Sequence, residues 1–467
     1  MSEQDRIAGT LLGMAAGDAL GAGYEFESSP QREIAMIGGG LGGFAPGEWT
    51  DDTSMAVCIA EVTATGAVDL EAIGDRILEW ARSGPADIGV STSQVLGRAR
   101  SGRGLPEVAA DFFADHPNKA AGNGALMRTA PVALAHLGDD EAIATAARAV
   151  AELTHADPLA GDSCVLWCIA IDRAIRERRL DGVHDGLALL PEERRSHWAE
   201  VLAEAEQRPP RTFSNNGFTV TALQAAHAAI TQTDVPDRHS AHHLQHALVE
   251  AVRIGHDTDT VAAIAGMVLG ARWGASAIPF AWRRILHGWP GLRASDLTRL
   301  AVLTGRRGRP TSNGWPTAKK VDGYGDPHFL VPLPGDEGVL LGNLTSLADA
   351  TEAVDAVVSL CRVGTDQVPD ELEHHEVWLV DQADGAVNPN LPFVLEDAVE
   401  AIRTLREEGK RVFLHCVAGA SRTPTVAAAY LARLEGVPAS DALERIAEAI
   451  PVYNDHNAAF VDLLRKW

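Results

Sequence analysis

An abrupt change of apolar rhythm divides this sequence. From about residue 7 to residue 305, stretches such as DEAIATAARAVAELTH, DSCVLWCIAIDRAIRERR and VAAIAGMVLGARWG place alanine and larger apolar residues at helical spacing, and no run reads as a strand. Residues 305–326, GRRGRPTSNGWPTAKKVDGYGD, break that rhythm with Gly, Pro, Ser and basic residues. Beyond them, short apolar runs (HFLVPL, GVLLGNL, AVVSLCRV, HEVWLVD, RVFLHC) alternate with helical stretches (LADATEAVD, LPFVLEDAVEAIRTLREEG, TPTVAAAYLARLEG), the pattern of a sheet flanked by helices. A chain of 467 residues also exceeds the roughly 250–300 that one core supports. The expectation is a multidomain protein: an all-α domain over 1–305, a linker over 306–326 and an α/β domain over 327–467.

Charge narrows the partners. Forty Lys and Arg against 64 Asp and Glu leave a net charge of −24, which repels nucleic-acid backbones and anionic membranes and attracts divalent cations. Nucleic acid is therefore expected only as a carrier of a modification. The opening residues, MSEQDRIAGTLLGMAAGDAL, start acidic and place Asp18 within the apolar stretch, unlike a signal peptide or a membrane span, so a cytoplasmic protein is expected. The cysteines Cys58, Cys164, Cys168, Cys361 and Cys416 are odd in number and lack CxxC spacing, which argues against a disulfide framework or a structural zinc site.

One cysteine stands apart. FLHCVAGASRTPTV runs from an apolar strand through Cys416 and five small residues to Arg422 and a helix with Pro424 in its first turn. Small residues let the loop curl so that its N–H groups point inward; the helix start and a two-pronged guanidinium complete an anion cradle. The same features favour thiolate over thiol at Cys416. Ser421 is placed to donate a hydrogen bond to that sulfur, which would ease its departure from phosphorus. HCVAGASR resembles the C-x5-R signature of the cysteine-dependent protein tyrosine phosphatases, dual-specificity branch, over about residues 325–467. The resemblance implies Cys416 as nucleophile, Arg422 and Gly419 among the phosphate-binding positions, and an aspartic general acid on a separate loop. HEVWLVDQADGAVNPN offers two: Asp384 is preferred, being past the strand end in a Gly-containing loop, and Asp381 competes with it.

The helical portion carries acidic clusters far apart in the chain. Asp18 and Glu25 in GMAAGDALGAGYEF share a face if that segment is helical. In EWTDDTSMA, Thr50 can cap a helix whose first positions are Asp51 and Asp52. In GHDTDTVAAIAGMVLGA, Asp257, Thr258, Asp259 and Thr260 lie at the entry to a helix rich in small residues. Taken singly, TDDT and DTDT are ordinary helix starts; converging, they offer the all-oxygen shell that Mg²⁺ prefers, with room for two ions about 3.5–4 Å apart.

GDALGAGYE, TDDT, GNGALMR, LTHADP and DTDT, in that order over about residues 5–300, resemble the ADP-ribosylglycohydrolase family, which includes the dinitrogenase reductase-activating glycohydrolase. The resemblance implies an all-α fold with two Mg²⁺ or Mn²⁺ ions. Thr50, Asp51, Asp52, Asp257, Asp259 and Thr260 would hold the metal, and Glu25 would match a catalytic glutamate beside it. Asn123, Gly124, His155 and Asp157 would line the ADP-ribose pocket. His256 replaces the small or acidic residue expected before DTDT, at no ligand position. The expected whole is a bifunctional hydrolase acting on an ADP-ribosylated protein or small molecule and on a phosphorylated substrate. The alternative is a phosphatase whose helical domain only binds ADP-ribose.

Overall fold

Helix α1 (Glu3–Gly21) is apolar or small on nearly every side and is buried from Asp5 to Gly21. Such a helix belongs inside its fold. In this computed structural model, which describes residues 3–384 and 386–467, the helices that matter to the helical site are α1, α2 (Asp51–Thr63), α3 (Pro158–Glu177), α4 (Glu192–Gln207), α5 (Thr219–Thr231) and α6 (Thr258–Trp273). Helix α6 is likewise buried nearly throughout. The two lie backbone to backbone because glycines recur every fourth residue on α1. A Cβ at Gly9 would sit 2.3 Å from Gly270 O, at Gly13 2.4 Å from Gly266 O, at Gly17 2.1 Å from Ala262 O, and at Gly21 2.4 Å from Asp259 Cα. No side chain fits in that seam, so only glycine permits the approach.

The chain divides into two compact units. One comprises Glu3–Ile278 and Ile285–Arg309; the other takes in Pro279–Arg284 and Pro310–Trp467. The first is helical apart from a hairpin pairing His287–Gly288 with Leu292–Arg293, which the helical rhythm did not foretell. In the second, Phe280 joins the core, Arg283 pairs with Asp397 at 2.7 Å and Arg284 with Glu373 at 2.6 Å. Trp315 and Val321, in the stretch expected as linker, are buried.

The second unit is an α/β layer. Strands β1 (Leu330–Leu333), β2 (Asp336–Asn343), β3 (Ala356–Ser359), β4 (Glu373–Glu376) and β5 (Val412–Cys416) lie in the order β1-β2-β5-β3-β4, antiparallel only between β1 and β2. Strand β5 is buried on both faces, as a central parallel strand is. Val412 and Leu414 belong to one core with helices α7 (Leu391–Glu407) and α8 (Arg422–Glu435), while Phe413 belongs to a second core with Leu344, Leu347 and Val357. Register opposes Asn343 to Cys416 and Ser359 to His415, so Cys416 ends β5 between two parallel neighbours. Ligands of open parallel sheets bind at such strand ends. Among the described residues no helix is long and apolar enough to cross a membrane.

Candidate active sites

The glycine seam delivers carboxylates to one place. Asp18, buried on α1, accepts the Thr50 N–H at 2.9 Å, the Thr53 N–H at 3.0 Å and the Thr53 hydroxyl at 2.6 Å. It thereby caps α2. The expected cap, Thr50, stands at the N-cap position without capping, because its hydroxyl donates to Asp52 Oδ2 at 3.0 Å. Thr260 also donates to that oxygen, at 3.4 Å. Asp18 and Glu25 do not share a helix face: α1 stops at Gly21 and a 3-10 turn, Ala22–Tyr24, intervenes. Glu25 reaches the site another way, since Phe26 N–H donates to His256 O at 2.6 Å and His256 N–H to Glu27 O at 2.8 Å, next to Asp257.

Two trios of carboxylates result, Asp18 with Asp52 and Asp259, and Glu25 with Asp257 and Asp259, each with oxygens within 4.8 Å of one another. Asp259 belongs to both. Burial, then repulsion from neighbouring acids, pushes Asp51 up to about 7 and Glu25 up to about 8 and holds Asp52 and Asp259 well above the ordinary range. Burial pushes Asp18 up to about 6. Asp52 Oδ1 is buried with no hydrogen-bond partner. No ion pair to Lys or Arg is found for these acids among the described residues. So many oxygens with an orphan acceptor fit hard divalent cations, which would supply the missing positive charge.

Asn123, Gly124, His155 and Asp157 make different contacts. Asn123 donates to Asp257 Oδ2 at 2.7 Å and to Asn216 O at 2.9 Å. Gly124 makes room for the His155 ring, whose Cε1 would stand 2.9 Å from a Cβ there. His155 is buried against the Thr154 hydroxyl at 2.8 Å, and burial, reinforced by Arg128, pushes it down to about 3, so it is neutral. Asp157 caps α3, accepting the Leu159 N–H at 2.9 Å.

At the end of β5, Gly419 donates its N–H to Cys416 Sγ at 3.3 Å. Gly419 has φ +76°, and a Cβ there would lie 2.5 Å from the Phe329 ring, so the turn needs glycine. Arg422 is anchored by main-chain carbonyls, Nη1 donating to Leu360 O at 2.7 Å and Leu379 O at 3.2 Å. Its Nε is buried without a hydrogen-bond partner. An oxyanion is what such a donor lacks. Ser421 does not serve the sulfur: its one hydroxyl proton goes to Asp381 Oδ1 at 2.9 Å. Asn457 Nδ2 donates to the same oxygen at 2.9 Å, and Asp381 Oδ2 lies 3.8 Å from Arg422 Nε. Asp384 is exposed and accepts the Ala386 N–H in its own turn at 2.9 Å. The loop therefore brings Asp381, not Asp384, to the cradle.

Residues 1–311 match the family model described as ADP-ribosylglycohydrolase, two thirds of the chain. The chain belongs to the ADP-ribosylglycohydrolase family. Residues 347–467 match the dual specificity phosphatase catalytic domain, so this ADP-ribosylglycohydrolase carries a phosphatase domain in the same polypeptide. The ADP-ribosyl-[dinitrogen reductase] glycohydrolase of Rhodospirillum rubrum is 30% identical over 290 residues, covering 60% of this chain and 90% of its own. ADP-ribosylarginine hydrolase Tri1 of Serratia proteamaculans is 28% identical over 292 residues, covering 60% and 74%. A solved ADP-ribosylglycohydrolase-related protein complex, 28% identical, covers 66% of this chain and 99% of its own with a TM-score of 0.51.

Several residues of this ADP-ribosylglycohydrolase site escaped the sequence reading. Asn216 accepts the Asp257 N–H at 3.1 Å and donates to Gly255 O at 3.0 Å, fixing the start of α6. Asp87 adds its charge to Glu25, Asp51 and Asp257. In the phosphatase domain, Asn343 donates to Pro327 O at 2.8 Å and Ala418 O at 3.5 Å, tying β2 to the cradle. Lone Asn and Asp residues in loops carry no spacing signal, so nothing in the sequence marked them.

Proposed function

We propose that the protein is a bifunctional hydrolase that removes ADP-ribose from a modified acceptor and hydrolyses phosphate monoesters. The observation that carries the first activity is Asp259, common to both carboxylate trios. Thr50, Asp51, Asp52, Asp257, Asp259 and Thr260 hold two divalent ions, Mg²⁺ or Mn²⁺, in this reading. Bound there, the ions supply Lewis-acid polarisation of oxygen ligands. The chain's own residues do the remaining work. Asp18 fixes the start of α2, and Asn123 with Asn216 fixes the start of α6, so the two acidic helix ends face one another. His155, packed on Gly124 and kept neutral by burial, adds no charge there.

In the phosphatase domain, Cys416 Sγ attacks phosphorus, forming the S–P bond as the ester O–P bond breaks. Arg422 Nε and the loop N–H groups hold the non-bridging oxygens. Asp381 gives its proton to the departing oxygen; water then attacks phosphorus, Asp381 takes the water's proton, and the thiolate leaves. Asp381 replaces Asp384 as the acid in this reading because Ser421 and Asn457 both hold Oδ1, leaving Oδ2 for the proton. The test is to incubate the purified chain with mono-ADP-ribosylated peptides and, separately, with an aryl phosphate, and to identify products by mass. Release of neither ADP-ribose nor phosphate under Mg²⁺ or Mn²⁺ would refute the proposal.

A further inference from the structure

A second donor cluster lies on the helical unit, built from different chemistry. His184, in the 3-10 segment Gly182–Leu189, Glu206, near the end of α4, and His227, in the middle of α5, place ring nitrogens and a carboxylate oxygen within 4.8 Å of one another. His184 Nε2 is 2.7 Å and His227 Nε2 3.1 Å from Glu206 Oε1. The His227 side chain is buried, while those of His184 and Glu206 are 39% and 40% exposed. Three elements thus aim donors at one small space that opens to solvent on one side.

The elements are locked without help from that cluster. Arg173 and Arg179 grip Asp185, beside His184, at 2.9 and 2.6 Å. Gly182 lets the segment lie on α3, since a Cβ there would meet Arg173 Cβ at 2.5 Å. Gln224 ties α5 to α4 through Val201 O at 3.1 Å and Glu204 Oε2 at 2.9 Å. The donors are therefore held close together before any ligand arrives.

We propose that His184, Glu206 and His227 form a binding site for a zinc-class divalent cation, with a coordination position open to solvent. Two imidazoles and a carboxylate suit Zn²⁺ in tetrahedral geometry, three protein ligands leaving a fourth position for water. Hard Mg²⁺ prefers the all-oxygen cluster of Asp51, Asp52, Asp257 and Asp259, so the two clusters select different ions. Bound metal staples the 182–189 segment to α4 and α5.

The experiment uses the full chain, stripped with a chelator, returned to excess Mg²⁺ and titrated with Zn²⁺ by equilibrium dialysis. The wild type is expected to hold one more zinc per chain than the His184→Ala/Glu206→Gln double variant. Each single variant should weaken that zinc at least about ten-fold. Glu206→Gln keeps the shape of the side chain, and unchanged circular dichroism confirms folding. Co²⁺ in place of zinc should give the intense visible bands of a tetrahedral site, absent in the double variant. Equal zinc uptake by wild type and double variant, including no uptake by either, overturns the proposal.

Discussion

The Ser421 hydroxyl donates to Asp381 Oδ1 at 2.9 Å, tying the end of the phosphate cradle to the loop that follows β4. Asn457, from near the chain's end, donates to the same oxygen. Two segments outside its own loop thus hold one carboxylate at the end of the cradle.

Asp381→Asn is expected to lower turnover about 10²–10⁴-fold on phosphate esters with poor leaving groups, and much less on activated aryl phosphates. Asp384→Asn should leave both classes near wild type. A leaving-group series of kcat values checks this; dependence on Asp384 instead would return the acid role to it.

Chelation should stop ADP-ribose release and spare phosphate-ester hydrolysis, because Cys416 needs no metal. Peroxide should do the reverse, with recovery on adding a thiol. Cys416→Ser should abolish the second activity alone, and Arg422→Lys should cripple it, since an ammonium cannot replace the planar fork. Loss of both activities under either treatment, with the fold retained by circular dichroism, would show that the sites are not independent.

Gly13→Val should destabilise the helical unit by about 1–3 kcal/mol or more and weaken Mn²⁺ binding, because its Cβ would meet Gly266 O at 2.4 Å and force α1 from α6. Gly97→Ala is the control: a helical glycine with nothing within 4 Å of its new Cβ, expected to gain about 0.5–1 kcal/mol. Thermal unfolding and a Mn²⁺ titration read both.

The two units should respond to acid with opposite sign when metal is removed. Burial lowers His374 to about 3 and His415 to about 4, against about 6.5 when unfolded. A lowered folded value gives stability that is present above pH 6.5 and lost as pH falls toward 4. Asp51 and Asp18, raised to about 7 and about 6, give the helical unit stability present below about pH 4 and lost as pH rises toward 7. Urea titrations at pH 5 and pH 7, with deuterium pulse-labelling at one common pH, should show peptides of β5 weaker at pH 5 and peptides of α1 stronger. Excess Mn²⁺ should reverse the α1 trend.

Contiguous features were legible in the sequence. The helical-to-α/β change of rhythm showed the two fold classes, and strand, Cys416, small residues, Arg422 and helix announced the cradle because all its parts are neighbours in the chain. TDDT and DTDT were readable as helix starts for the same reason, as local backbone chemistry favours Asp and Thr there. Which atoms each residue faces was decided only by the tertiary structure. Asp18 caps a helix 32 residues away, Asp259 joins two trios, and Asp381 rather than Asp384 meets the cradle, though they are only three positions apart. Asn388 pins the loop through Val380 and Asn457 pins Asp381 itself. The glycines at 9, 13, 17 and 21 recur every fourth residue, but a seam needs two surfaces, and the second, on α6, lies some 240 residues further on. Local propensity acts over a few residues; hydrogen bonds and close packing between distant segments exist only once the chain has folded.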